Sequence, residues 1–209
     1  GVLSFVKLWE NTTAALEPVV NGKALPLAEV RNLAYHPDGA LRKAAYEAEL
    51  AALQTAALSS AAALNAIKGE TITLCHLRRY ESPLAMTLIQ SRLDGEVLSA
   101  MRQAMASARP AFRRYFKAKS KALGNKGALP FWDLFAPIGE ENQTFPYAEA
   151  QDYVVKQFST FSKALGDYAR YAFDHRWVDA LPKKGKRGGA FCENLHPIGE
   201  SRVLTNFSG

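Results

Sequence analysis

The chain has 209 residues, of which 48% are hydrophobic and 22% charged, with 14 glycines and 10 prolines. That is enough for one substantial core, or for part of a larger one, and it is not the composition of a disordered segment. A net charge of +6 permits contact with nucleic acid without requiring it, because such binding needs the charge gathered on one face.

No apolar run reaches the roughly 20 residues of a membrane helix. The alanine-rich stretch from Ala44 to Ala66 is interrupted by Glu47, Glu49, Gln54 and Asn65. Lys7 and Glu10 lie inside the first apolar run, where a secretory leader would be uniform, so a cytoplasmic location is the expectation. Cys75 and Cys192 form no C-x-x-C pair and read as reduced thiols.

In chain order, the first clear element begins at Asp38, an N-cap placed after the extended entry His36-Pro37. From Ala40 to about Lys68, Leu41, Ala44, Ala45, Ala48, Ala52, Leu53 and Ala56 recur at three- and four-residue steps, which predicts one long helix packed closely through alanine. Ser82-Pro83 is the cap and first position of a second helix, and Asp94 caps a third through Leu98, Met101, Met105 and Phe112. Pro110 falls inside that third pattern and predicts a kink or break.

Gly124-Asn125-Lys126-Gly127 then supplies a turn. Two more helices follow, from about Tyr147 to Leu165 and from Asp167 to Trp177, with Gly166 at their joint. Past Pro182 the pattern changes. Gly189–Glu193 and Arg202–Phe207 are short enough to be strands, separated by the turn residues Leu195–Gly199. The expected fold is mainly α, a multi-helix array with a small β-hairpin or sheet near the C-terminus. There is no internal repeat or linker.

Chemistry is sparse along this chain. A zinc site needs at least three converging ligands, and helical spacing brings two histidines together at four residues apart. His36, His76, His175 and His196 contain no such pair, and a composite of Cys75, His76 and His175 would depend wholly on the fold. His36 reads as part of a helix entry and His175 as packing at a helix end. His196 lies between the expected strands, either as a connecting-loop residue or as a groove residue. Glu140-Glu141 is most simply a solvated turn pair.

Gly188-Gly189-Ala190 carries the sharper reading: without side chains, a substrate backbone can lie directly against such a segment and add itself as a strand. The bland alternative is a flexible basic turn. Lys183-Lys184-Gly185-Lys186-Arg187, the only dense basic run, either contacts phosphates or steers a peptide carboxylate, but it lacks the G-x-x-x-x-G-K-S/T pattern.

The stretch from Gly185 to Cys192, followed by Ser201-Arg202-Val203-Leu204-Thr205-Asn206-Phe207-Ser208-Gly209, resembles the run that leads into the active site of the oligoendopeptidase F family, thimet oligopeptidase-like zinc metallopeptidases. Further phrases resemble that family in order: Arg31–Asp38, Arg42–Leu50, Leu64–Gly69, Tyr80–Leu84, Tyr115–Lys119, Asp133–Pro137 and Arg176–Asp179. The resemblance implies hydrolysis of short peptides with zinc held by an H-E-x-x-H helix, in which the glutamate activates water. That motif is absent from these residues.

Residues 1–209 are therefore expected to be a helical portion of a larger catalytic domain, with 183–209 its glycine-rich groove edge. The resemblance implies substrate contacts at Gly188, Gly189, Ala190, Phe191 and His196, and no catalytic or metal-binding residue here. Zinc belongs to the parent family and is not expected on this chain alone, which is expected to be inactive. Its partners are short peptides and the missing catalytic portion, with no membrane. A catalytically dead helical peptide-binding module is the alternative. RNA binding ranks last, since no aromatic residues interleave with the basic run.

Overall fold

The structure is a computed structural model that describes residues 1–139 and 144–207; the Glu140-Glu141 pair and Ser208-Gly209 lie outside them. The chain opens with helix α1 (Val2–Ala14) and a two-stranded hairpin, β1 (Val19–Val20) and β2 (Lys23–Ala24). Asn21 and Gly22 turn that hairpin with φ of 50° and 82°. Positive φ at both loop residues matches the right-handed twist of the strands, which is why Asn-Gly suits this turn. Helix α2 (Leu27–Asn32) follows, and Val20 and Val30 pack with Ala45 in a small core flanked by Leu25, Leu33 and Leu41.

Helix α3 (Gly39–Thr55) starts where expected, with the Asp38 carboxylate accepting from the Ala40 amide. The expected single helix to Lys68 is instead two, because α4 (Ala57–Leu77) leaves α3 at 64°. The break falls at Ala56, which ends α3 and begins α4 with φ −94° and ψ 0°, outside the helical region.

Helices α5 (Pro83–Ser91) and α6 (Gly95–Ala122) begin on the predicted caps Ser82 and Asp94. The expected break at Pro110 does not occur. The carbonyl that Pro110 leaves without a backbone donor, that of Ala106, accepts from Arg109 Nε at 3.4 Å, and α6 runs on for its full 28 residues. At its C-terminal end, Asp133 in the turn Phe131–Asp133 pairs with Arg42 of α3 at 2.7 Å, both buried, while Asn125 donates to the second carboxylate oxygen. Lys119 donates to the Leu134 carbonyl at 2.8 Å. Burial raises the Asp133 carboxyl, but the hydrogen bonds from Arg42 and Asn125 and the charges of Arg42 and Lys119 outweigh it, so its pKa lies below the ordinary value.

Helices α7 (Tyr147–Phe161) and α8 (Lys163–Asp174) form an antiparallel pair whose joint is Ser162 rather than Gly166. Ser162 ends one helix and caps the next through the Leu165 amide. Gly166 sits inside α8, where any Cβ would collide with the side chain and backbone of Ser159, so glycine there allows close helix packing.

The closing sheet comprises β3 (Val178–Asp179), β4 (Phe191–Leu195) and β5 (Glu200–Leu204) in the order β3-β5-β4. β5 pairs parallel to β3 and antiparallel to β4, with Phe191 opposite Leu204 and Leu195 opposite Glu200. Both long strands lie about two residues nearer the turn than expected. Gly189, at φ 83°, cannot be part of a strand, and the chain straightens only at Phe191. The architecture is thus mainly helical with a small C-terminal sheet.

Candidate functional site

Helix α2, the α7/α8 pair and the β3–β5 side of the sheet enclose an open cavity of about 790 Å³. Its walls are apolar, with Val154 and Phe158 of α7, Ala172 and Phe173 of α8, and Val203 of β5. Gly188, Gly189 and Ala190 form part of its rim, beside Asn206 and Phe207. The structure therefore brings three of the five expected substrate contacts to one wall.

Backbone accounting defines what that wall offers. Asn206 Nδ2 donates to the Arg187 carbonyl at 3.1 Å and to the Gly189 carbonyl at 2.8 Å, fastening the segment to the chain that leaves β5. Among the described residues, the N–H groups of Gly188, Gly189 and Ala190 and the carbonyls of Gly188 and Ala190 have no partner. All three residues are exposed, so these groups are open to a ligand and not orphaned in the interior. The segment leads directly into β4, which is bonded only to β5 among the described residues and so presents a free strand edge. Asn206 Oδ1 is itself buried without a partner.

Phe191 and His196 stand outside the cavity. The Phe191 ring carries the Arg187 guanidinium at 5.3 Å from its centroid, a cation–π contact at the start of the edge. His196 is exposed and opens the turn His196–Ile198 at the opposite end of β4. At about 3.3 Å per residue, the five-residue strand separates it from the glycine segment by about 16 Å.

The basic run is paired, residue by residue. Lys183 meets Asp179 at 3.2 Å, Lys184 meets Glu17 at 2.6 Å, and Arg187 meets Glu10 at 3.1 Å. Lys186 is buried, and its ammonium donates to the Asp179 and Leu181 carbonyls at 2.9 and 2.7 Å and pairs with the Asp179 carboxylate at 3.1 Å. Three donors and three acceptors satisfy that ammonium completely. The hydrogen bond from Lys186, then that from Lys183, holds the Asp179 carboxyl below its ordinary pKa. What the sequence presents as a phosphate or carboxylate contact is, in the fold, a set of internal anchors for the glycine segment. Its individual signal was invisible, since the partners Glu10 and Glu17 lie more than 160 residues away.

Two of the remaining histidines serve local structure: His36 accepts from the Asp38 amide at 3.0 Å, and His175 stacks on Tyr171 with centroids 3.6 Å apart. Among the described residues no three His, Cys, Asp or Glu side chains gather as a metal-holding group, so the residues present do not fit zinc. Sequence reasoning missed Asn206 as the fastener of the glycine rim, although the motif containing it was noticed.

The sequence pattern of "Peptidase family M3" matches residues 32–209. The chain is 26% identical to the group B oligopeptidase PepB of Streptococcus agalactiae over 155 residues, covering 74% of this chain and 26% of that protein. It is 26% identical to an oligoendopeptidase F homolog of Mycoplasma pneumoniae over 203 residues, covering 92% of this chain and 33% of the relative. The chain thus spans about a quarter to a third of the length of these curated relatives. A putative oligoendopeptidase F from Bacillus anthracis superposes with a TM-score of 0.90 at 15% identity, over all of this chain and 39% of that one. A structure titled PZ peptidase A with inhibitor 2 superposes at 0.89 and 16% identity, over 99% of this chain and 38% of that one. Likeness of fold along the whole chain, joined to a sequence pattern spanning most of it, places the chain in peptidase family M3 as a portion of an oligoendopeptidase F-type protein.

Proposed function

We propose that this portion supplies the groove wall and the backbone-reading edge of an M3 oligoendopeptidase, with residues 183–209 as that edge. The observation that carries the reading is the run of unpartnered backbone groups from Gly188 to Ala190 continuing into the free edge of β4. An extended peptide laid along it would gain main-chain hydrogen bonds with no demand on its side chains, which suits cleavage of short peptides of many sequences. Gly188, Gly189, Ala190 and Phe191 hold one end of such a peptide. His196 lies where a peptide of about five residues would end, at about 3.3 Å per residue.

The parent reaction is hydrolysis of internal bonds in short peptides. Zinc supplies carbonyl polarisation and an activated water when bound in such enzymes, and no described residue is assigned a part in that chemistry. What these residues do is bind and orient. The apolar cavity and the exposed apolar side chains of α6, including Met101, Met105 and Phe112, are the surfaces on which the rest of the catalytic domain would seat.

Titration calorimetry with blocked pentapeptides of unrelated sequence tests the edge. Binding is expected for each, and it should be lost when alternate backbone amides are N-methylated. Equal affinity for the N-methylated peptides would overturn the reading. In a second assay a quenched peptide with added zinc should remain intact with this chain alone, and chelator-sensitive cleavage would sink the assignment of the chemistry to other residues.

A further inference from the structure

Glu10 and Glu17 belong to the region before residue 32, outside the family match, yet both reach the segment that leads into the proposed edge. Helix α1 is tied at its start to α4, where the Val2 amide donates to Glu70 at 2.8 Å. At its other end the Ala14 carbonyl accepts from the Gly185 amide at 3.2 Å. Glu17, just beyond the helix, pairs with Lys184, and Glu10, with only 17% of its side chain exposed, pairs with Arg187. Thr13 and Ala14 face Lys186, Arg187 and Gly188 across a cleft of about 240 Å³. Residues 185–190 thus have fasteners on two sides: Asp179 and Asn206 from the sheet, which hold Lys186, Arg187 and Gly189, and Glu10 of α1 with Glu17 just beyond it from the N-terminal side.

We propose that α1 is a brace for the peptide edge, with Glu10 and Glu17 as positioning residues that hold Gly185–Ala190 in its binding conformation. This rests on the edge being the peptide site. The physical case turns on local stability. Exposed ion pairs are individually weak and are screened over about 10 Å at 0.1 M salt. A segment containing Gly185, Gly188 and Gly189, with several uncommitted backbone groups, also has little cohesion of its own. Weak pairs acting on it therefore shift its opening equilibrium while leaving global unfolding unchanged. The brace makes peptide capture dependent on ionic strength, and it couples the edge to the position of α1 on α4.

The test compares hydrogen exchange over residues 185–195 and peptide affinity in the wild-type chain and in Glu10→Gln/Glu17→Gln. Expected are several-fold faster exchange across 185–190, several-fold weaker binding and an unchanged thermal midpoint, with high salt bringing the wild type to the level of the variant. The charge swap Glu17→Lys with Lys184→Glu should restore most of the protection lost in Glu17→Lys, a rescue that a packing role would not produce. Unchanged exchange in the double variant overturns the brace, as does faster exchange with no loss of affinity in a chain whose wild type binds peptide. If the wild type binds no peptide, the edge reading falls, and exchange, salt response and charge-swap rescue alone decide whether α1 braces the segment.

Discussion

Arg42 and Asp133 show how much a single pair can decide. Both are buried, and Arg42 also donates to the His36 and Pro37 carbonyls, so one side chain joins the entry of α3 to the turn after α6. Arg42→Met would remove the ion-pair partner of the buried Asp133, leaving only the Asn125 hydrogen bond and the Lys119 charge, and should destabilise the chain by about 3–5 kcal/mol, whereas Arg42→Met/Asp133→Leu should recover part of the loss; urea denaturation measures both. Asp133 and Asp179 both hold their protons less tightly than ordinary carboxyls. Their contribution to stability is complete above the unfolded value of about 3.9 and is lost as pH falls through the lowered folded values. Melting temperature should therefore be flat near neutrality and fall below about pH 4, and Asp133→Asn should flatten that acid limb. Gly188 is different in kind: a Cβ there meets only Arg31 at 3.6 Å. Gly188→Val should leave the fold intact and weaken peptide binding several-fold, read by calorimetry beside a melting curve. The sequence showed this glycine but not that Asn206 holds its neighbours, because the bonds span 17 and 19 residues.

Among the elements, those with local punctuation were legible. Asp38, Ser82 and Asp94 each cap the helix predicted from them, since an N-cap and its target amides lie within three residues. The Asn21-Gly22 hairpin was equally local and went unread. Breaks within apolar patterns were not legible: the α3–α4 bend falls at Ala56, one alanine among many in the stripe, and α6 continues through Pro110 despite the proline. Proline still costs α6 a backbone hydrogen bond. Pro110→Ala should stabilise the helix by about 1–3 kcal/mol, seen as increased ellipticity at 222 nm and a higher urea midpoint; an unchanged or lower helix signal would show that the proline fits this helix at no cost.

At the scale of the whole molecule, large apolar side chains on α5 and α6 stand in solvent, among them Leu84, Ile89, Met105 and Phe112. Contiguous exposed apolar surface marks an interface, and a free strand edge is a template for pairing. The isolated chain should self-associate with rising concentration, giving a sedimentation mass above 22.9 kDa, and peptides that occupy the β4 edge should reduce the association. A strict monomer from micromolar to submillimolar concentration would argue that the α6 face needs no cover.

By itself the sequence determined the helical class, the capped starts of three helices, the C-terminal strand pair and the resemblance to oligoendopeptidase F. All of these reside in periodicity, caps and short motifs carried by residues close together in the chain. Only the tertiary structure decided that the basic run is paired with Glu10, Glu17 and Asp179, that Asn206 fastens the glycine rim, and that this rim borders an apolar cavity and continues a free strand. Those facts depend on which distant charges and backbone groups meet, and a hydrogen bond or ion pair is set by separation in space, which sequence spacing does not encode.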